Sequence, residues 1–280
     1  MSGALQANFM NQRSFVTPPN QQAYTTPGTY SWVAPTGVTS VAVVAVGGGG
    51  TGWYANGSPP FAMTAGAGGG LGYKNAQAVT PGSSYTVVVG AAGSYPYGCG
   101  GTSYFISTCV VRGGGGSGSG GAGGTYTGTG GGNGGTGTTQ TLFGGVGGAG
   151  AGGYSGAGGY AGYGGSTPAA GSGGGGGGGY GKNAFDACGA GNGGGVGLYG
   201  SGSNGAAGTA GSMGGKGGSG GGDGQVGCST CAGAYGGGGD FWTVSNTQLA
   251  LGFGSKGAVR IVWASGSRGT PSFPSTNVGP

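Results

Sequence analysis

The chain has 280 residues, of which 89 are Gly and only 4% are charged: eight basic, three acidic and no His. A His-based triad is excluded, and Asp186, Asp223 and Asp240 are the whole acidic supply for acid/base or metal chemistry. The net charge of +5 is scattered along the sequence, whereas nucleic-acid binding needs basic residues gathered on one face.

The expectation is a non-enzymatic protein with no cofactor, no metal and no nucleic-acid partner. The longest apolar run, Val41–Val46, is far below the ~20 residues of a membrane-spanning helix. Met1–Phe15 lacks the apolar core of a secretory signal. The protein is therefore expected to finish synthesis in a cytoplasm.

Residues 1–27 read as a polar, extended N-terminal arm, with Asn20-Gln21-Gln22 and Pro18-Pro19. Strands follow. Tyr30–Ala34 leads through the turn Pro35-Thr36-Gly37 into Val38–Val46, whose β-branched residues suit a pleated, half-buried surface. Ala76–Thr80 and Tyr85–Val89 flank the turn signal Pro81-Gly82-Ser83. Ser103 through Val111 reads as one further strand. Far downstream, Gly257–Trp263 alternates in the same style. A lone strand is not stable by itself, so it is expected to return and pair with the N-terminal strands. Apolar residues nowhere recur at helical spacing, and no helix is predicted.

These elements predict an all-β fold. A small β-sandwich is expected over residues 28–112 plus 256–265. A glycine-rich insertion spans 113–255, and a C-terminal tail spans 266–280. Cys228-Ser229-Thr230-Cys231 is a C-x-x-C without a βαβ setting or a second pair. The five cysteines read as small buried residues or as an adventitious disulfide.

Residues 113–239 are about half Gly. Disorder, collagen, a silk-like or cell-wall protein and a bundle of polyproline-II helices all compete for such a tract. Gly falls on every third position from 144 to 165 and from 202 to 220, although runs of this kind also arise by chance at that density. Collagen fails, because Pro168 is the only Pro between Pro96 and Pro271. A polyproline-II helix has three residues per turn and no internal hydrogen bonds. Its outward N–H and C=O groups reach neighbouring helices only where the backbones approach as closely as Gly allows. Islands of larger residues interrupt the pattern at Gln140–Phe143, Ser166–Ala170, Lys182–Cys188, Gln225–Cys231 and Asp240–Leu251. They suit loops at rod ends, and the bundle is the reading that explains them.

Two segments carry a resemblance. Gly28–Val41 followed by Val43–Gly50, and Val79–Gly90 followed by Gly100–Ser103, are similar to the glycine-rich domain of phage tail-fibre and adhesin proteins. The ending, Gly257–Trp263 and then Ser272–Asn277, resembles structural proteins of phages from cyanobacteria and other aquatic bacteria. The likeness implies a virion component, made in the host cytoplasm and released by lysis. It implies glycine-rich helices whose tip loops touch the host receptor, a surface glycan or outer-membrane protein. The N-terminal arm would dock on other virion proteins of tail, fibre or capsid, and a homo-oligomer fits the same picture.

The candidate contact residues are the aromatics of the islands and early loops: Trp53, Tyr54, Phe61, Tyr95, Tyr97, Phe143, Phe185, Phe241 and Trp242. Such rings offer rigid area at low entropic cost, and would serve equally as caps over the bundle ends. A self-assembling extracellular filament is the alternative, since the bundle exposes backbone at its edges. An ice-binding face is disfavoured by the 28 aromatic residues.

Overall fold

The computed structural model describes residues 20–55, 62–96, 98–141, 144–181, 189–226, 232–245, 248–264 and 271–275. Among them there is no helix. The strands in chain order are β1 (Asn20–Tyr24), β2 (Gly28–Val33), β3 (Ser40–Val46), β4 (Trp53–Ala55), β5 (Ala62–Thr64), β6 (Leu71–Ala78), β7 (Ser84–Val89) and β8 (Ser103–Phe105). They continue with β9 (Val111–Gly113), β10 (Tyr126–Thr127), β11 (Gly130–Gly132), β12 (Thr139–Gln140), β13 (Gly145–Val146), β14 (Phe241–Ser245), β15 (Gln248–Leu251) and β16 (Ala258–Trp263).

Two five-stranded antiparallel sheets form the sandwich, in the orders β1-β16-β3-β6-β11 and β10-β9-β8-β7-β2. As expected, β16 returns to the N-terminal strands, pairing Ile261 with Val43 on one side and with Gln22 on the other. Residues 20–24 are therefore a strand of the sandwich and not part of an arm. Five residues with exposed backbone groups gain ladder partners along β16, which is reason enough for the chain to join the sheet. The stretch from Ser103 to Val111 is two strands, because the chain reverses after Phe105 with Ile106 at φ 65°.

The two sheets enclose one apolar cluster. Val41, Val43, Ala45, Val259, Ile261 and Trp263 face Trp32, Val87, Val89, Phe105 and Val111. The Trp32 ring lies 5.8 Å from Phe105 and 5.6 Å from Trp263. The other face of β3 is also buried. Ala42, Val44 and Val46 pack with Leu71, Tyr154, Val196, Leu198 and Phe273. The continuous apolar run of β3 thus serves a strand covered on both sides, where alternation had implied one.

The second cover comes from the glycine-rich rods and the C-terminal tail. Arg260 is fully buried in this layer. Its Nε donates to Gln21 Oε1 at 2.7 Å, its Nη1 donates to the Leu198 carbonyl at 3.0 Å, and the guanidinium stacks 4.4 Å over the Tyr199 ring. Burial lowers its pKa, opposed by Tyr199 and Tyr154. One side chain therefore joins β1, β16 and the rods.

The glycine-rich segments are ordered by backbone hydrogen bonds that repeat every three residues. Along 147–152, Gly147 and Gly150 donate to Gly162 and Gly159, Gly148 and Ala151 donate to Gly191 and Gly194, and Ala149 and Gly152 donate to Gly66 and Gly69. Along 191–196, successive pairs donate to Tyr180 and Gly177, to Gln225 and Gly222, and to Gly238 and Tyr235. Each rod thus sends its N–H groups in three directions, to three different neighbours. The spacing between rods admits no side chain there. A Cβ on Gly193 would lie 2.0 Å from the Ala149 carbonyl oxygen, and one on Gly66 would lie 2.0 Å from the Gly50 oxygen.

The rods do not begin at residue 113. Strand β3 continues into 47–52, the rod 65–70 runs into β6, and β7 continues into 90–93. The hydrogen bonds Gly47 N to Gly70 O and Gly48 N to Gly101 O join these earlier segments to one another. Sandwich and bundle are therefore interleaved in sequence.

Candidate functional site

The rods have two kinds of ends. At the end near the sandwich the turns are short and made of Ser, Gly and Tyr. Ser155 N donates to Gly173 O, Ser219 Oγ donates to Gly174 O at 2.8 Å, and Gly200 N donates to Tyr154 Oη at 3.2 Å. Gly173, Gly174, Gly200, Gly220 and Gly236 take positive φ here, which closes the turns tightly.

The described chain flanking the five islands lies at the opposite end. Val146 pairs with Phe241 and bridges to Tyr163. Gln140 pairs with Met63, Gly191 bridges to Val226, and Tyr180 N donates to Met213 O. The described chain entering or leaving every island is thus gathered at one end. The β4–β5 hairpin and the Tyr95 turn stand there too, since Thr51 N donates to Gly98 O and its hydroxyl to Gly93 O.

The candidate contact residues divide as follows. Trp53 opens β4, half-buried, and its carbonyl accepts from Thr64 Oγ1 at 3.3 Å. Tyr54 pairs with Met63 in the same hairpin, and Trp242 stands opposite Ala250 and Gly145. Tyr95 is 49% exposed. Phe241, expected at the contact surface, is instead fully buried with Met63, Ala65, Val146, Ala149 and Ala161, so its ring anchors the inside of the tip. Phe61, Tyr97, Phe143 and Phe185 lie outside the described residues, as do the side chains of Tyr54 and Trp242. Tyr160 and Tyr163, 53% and 49% exposed, stand outside the islands with Gly on either side of them in the sequence.

Titratable chemistry at this end is sparse. Asp223 accepts from Gly217 N at 2.8 Å and pairs with Lys216 at 3.0 Å. The Gly217 N–H does most to hold its carboxyl below the ordinary value, burial opposes it, and Lys216 adds to the lowering. Both side chains are about half exposed, so the pair contributes at most ~1 kcal/mol. It edges an open hollow of about 500 Å³ whose lining includes Met213, Gln225 and Val226. Cys99 and Cys109 are free and exposed, contrary to the buried role expected of them; the other three cysteines lie outside the described residues. Among the described residues no three metal-ligating side chains gather.

Asp240 is different. It is buried where rods meet, its N–H donates to Asn192 Oδ1 at 3.0 Å, and its Oδ2 has no hydrogen-bond partner. Burial pushes its carboxyl well above the usual carboxylate range, opposed weakly by its own N–H. The folded state therefore binds this proton more tightly than the unfolded state. The stability it contributes is fully present below about pH 4, the unfolded value, and is lost as pH rises through the folded value. Asp240→Asn is expected to flatten the dependence of Tm on pH above pH 4 and to raise Tm at neutral pH. Coincident profiles of variant and wild type would show that the carboxyl is ionised in the fold.

Comparison with known proteins returns no matching family model and no matching curated sequence.

Proposed function

We propose that the protein is a phage virion appendage of the tail-fibre or adhesin kind, attaching to the host surface through loops at the far end of a bundle of polyproline-II helices. The observation that carries this reading is the asymmetry of the rods. Their sandwich-side turns are minimal, while the described chain leading to each island of larger residues is gathered at the other end. The three-residue hydrogen-bond repeat matches the polyproline-II period and gives a stiff stalk from little chemistry. Such a stalk separates recognition from scaffold, as loops on rigid frames do. The N-terminal residues preceding β1 remain the proposed link to other virion proteins.

Purified protein is expected to bind intact cells of some strains in a panel of cyanobacteria and other aquatic bacteria. Tyr95→Ala combined with Trp53→Ala is expected to weaken that binding at least about tenfold, equivalent to about 1.4 kcal/mol. Absence of binding to every strain would remove the adhesive role. Regular filaments of the isolated protein in electron micrographs would favour the self-assembling alternative.

A further inference from the structure

A second surface lies on the flank of the bundle. The rods 133–139 and 157–163 run side by side, joined by Gly158 N to Asn133 O at 2.9 Å and Ala161 N to Thr136 O at 3.1 Å. On the first, Asn133, Thr136 and Thr139 are exposed; on the second, Ala157, Tyr160 and Tyr163 are exposed. Both sets recur at three-residue spacing, so each forms one straight outward row. At the polyproline-II rise of ~3.1 Å per residue, the two tyrosines stand roughly 9 Å apart along the rod. Beyond them, Ala169 N donates to Tyr160 O, which brings the exposed Thr167 and Ala170 alongside.

The surface carries no charge. No Asp, Glu, Lys or Arg occurs between Arg112 and Lys182, so every rod of this flank is neutral. Two exposed amphipathic rings stand on it, beside a row of hydroxyl and amide groups.

From these features we propose that the flank binds an uncharged, extended polysaccharide, with Tyr160 and Tyr163 as stacking platforms. Sugar rings present C–H faces that pack on aromatic rings, and hydroxyls that exchange hydrogen bonds with Thr, Asn and Tyr Oη groups. Two platforms one helical turn apart engage two places on one extended strand, which a single sugar cannot do. A polyanion finds no cation here, and the absence of charge imposes no desolvation penalty on a neutral strand. The proposal goes beyond the tip reading and does not rest on it, because the rows run along the rods and reach the island end only at Thr139 and Tyr163.

The test is affinity electrophoresis in native gels containing a soluble glucan, galactan, mannan or xylan, with an acidic polysaccharide as control. Wild-type protein is expected to be retarded by at least one neutral polymer and not by the acidic one. Tyr160→Ala/Tyr163→Ala is expected to lose at least tenfold in apparent affinity, and Tyr160→Phe/Tyr163→Phe to keep most of it. Both rings are exposed, so the variants should fold, and Tm checks this. No retardation by any neutral polymer, or equal retardation of the alanine variant, would overturn the proposal. So would concentration-dependent self-association, seen by sedimentation, that the alanine variant abolishes; the flank would then join copies of this chain. Cell binding through the tip is read separately with Tyr95 and Trp53 variants, so either idea can fail alone.

Discussion

Gly193→Ala is expected to unfold the centre of the bundle, while Gly211→Ala is expected to leave stability within about 0.5 kcal/mol of wild type. The two substitutions add the same methyl group to the same kind of sequence. At Gly193 the methyl meets the Ala149 carbonyl oxygen at 2.0 Å, a backbone atom that cannot swing aside. The rod must move, and Gly193 then loses its donation to Gly238 O and its acceptance from Gly233 N. Overpacking costs about 1–3 kcal/mol and each lost hydrogen bond about 0.5–1.5 kcal/mol. The sum, roughly 2–6 kcal/mol, is a large share of ordinary domain stability. At Gly211 nothing lies within 4 Å of the added methyl. Thermal unfolding of the two variants decides the matter, and equal Tm values would mean that the rods are not packed as described.

Trp32→Ala is expected to destabilise the sandwich by about 3–5 kcal/mol. The ring is 2% exposed and meets Tyr85, Phe105 and Trp263 with centroids 5.6–6.1 Å apart. Its removal opens a cavity between the sheets where β2 faces β16. The neighbouring Val33 is 56% exposed on the other face of the same strand, and Val33→Ala is the control, with a small expected effect. The rods extend directly from strands β3, β6 and β7, so the loss should also appear as reduced protection of bundle amides. A Trp32→Ala protein that melts like wild type would show that the sandwich does not support the bundle.

The strands rich in Val, Tyr and Trp were legible in the sequence because β-branched and aromatic side chains declare their setting. The return of β16 followed from the instability of a lone strand. Other elements gave no such signal. Strand β11 is Gly130-Gly131-Gly132, whose place in a sheet is fixed by its neighbour Leu71–Tyr73 and by nothing in its own composition. Strands β14 and β15 did carry a signal in Phe241, Trp242, Thr243 and Val244, but they fall in the island Asp240–Leu251, which is expected to be a loop and is instead an antiparallel pair. The every-third-Gly phase from 144 to 165 did carry information. Gly147, Gly150, Gly153, Gly156, Gly159 and Gly162 belong to it, and they pair across the turn at Tyr154–Ser155.

The candidate site was legible as a set of islands, not as a set of contacts. Burial separates Phe241 from Tyr95, and that depends on which side of a rod a ring leaves. Tyr160 and Tyr163 share one phase of the three-residue repeat that the Gly positions display, but the repeat alone does not say which phase of a rod faces solvent.

The account rests on ordered rods, and amide hydrogen exchange across Gly191–Val196 tests it most directly. All six amides donate to backbone carbonyls on three different neighbours. Six consecutive protected amides are therefore expected, with exchange slowed to the level of the sandwich core. Exchange of the whole stretch at the rate of an unfolded chain, or protection of alternate residues as at a sheet edge, would contradict the bundle and the stalk built from it.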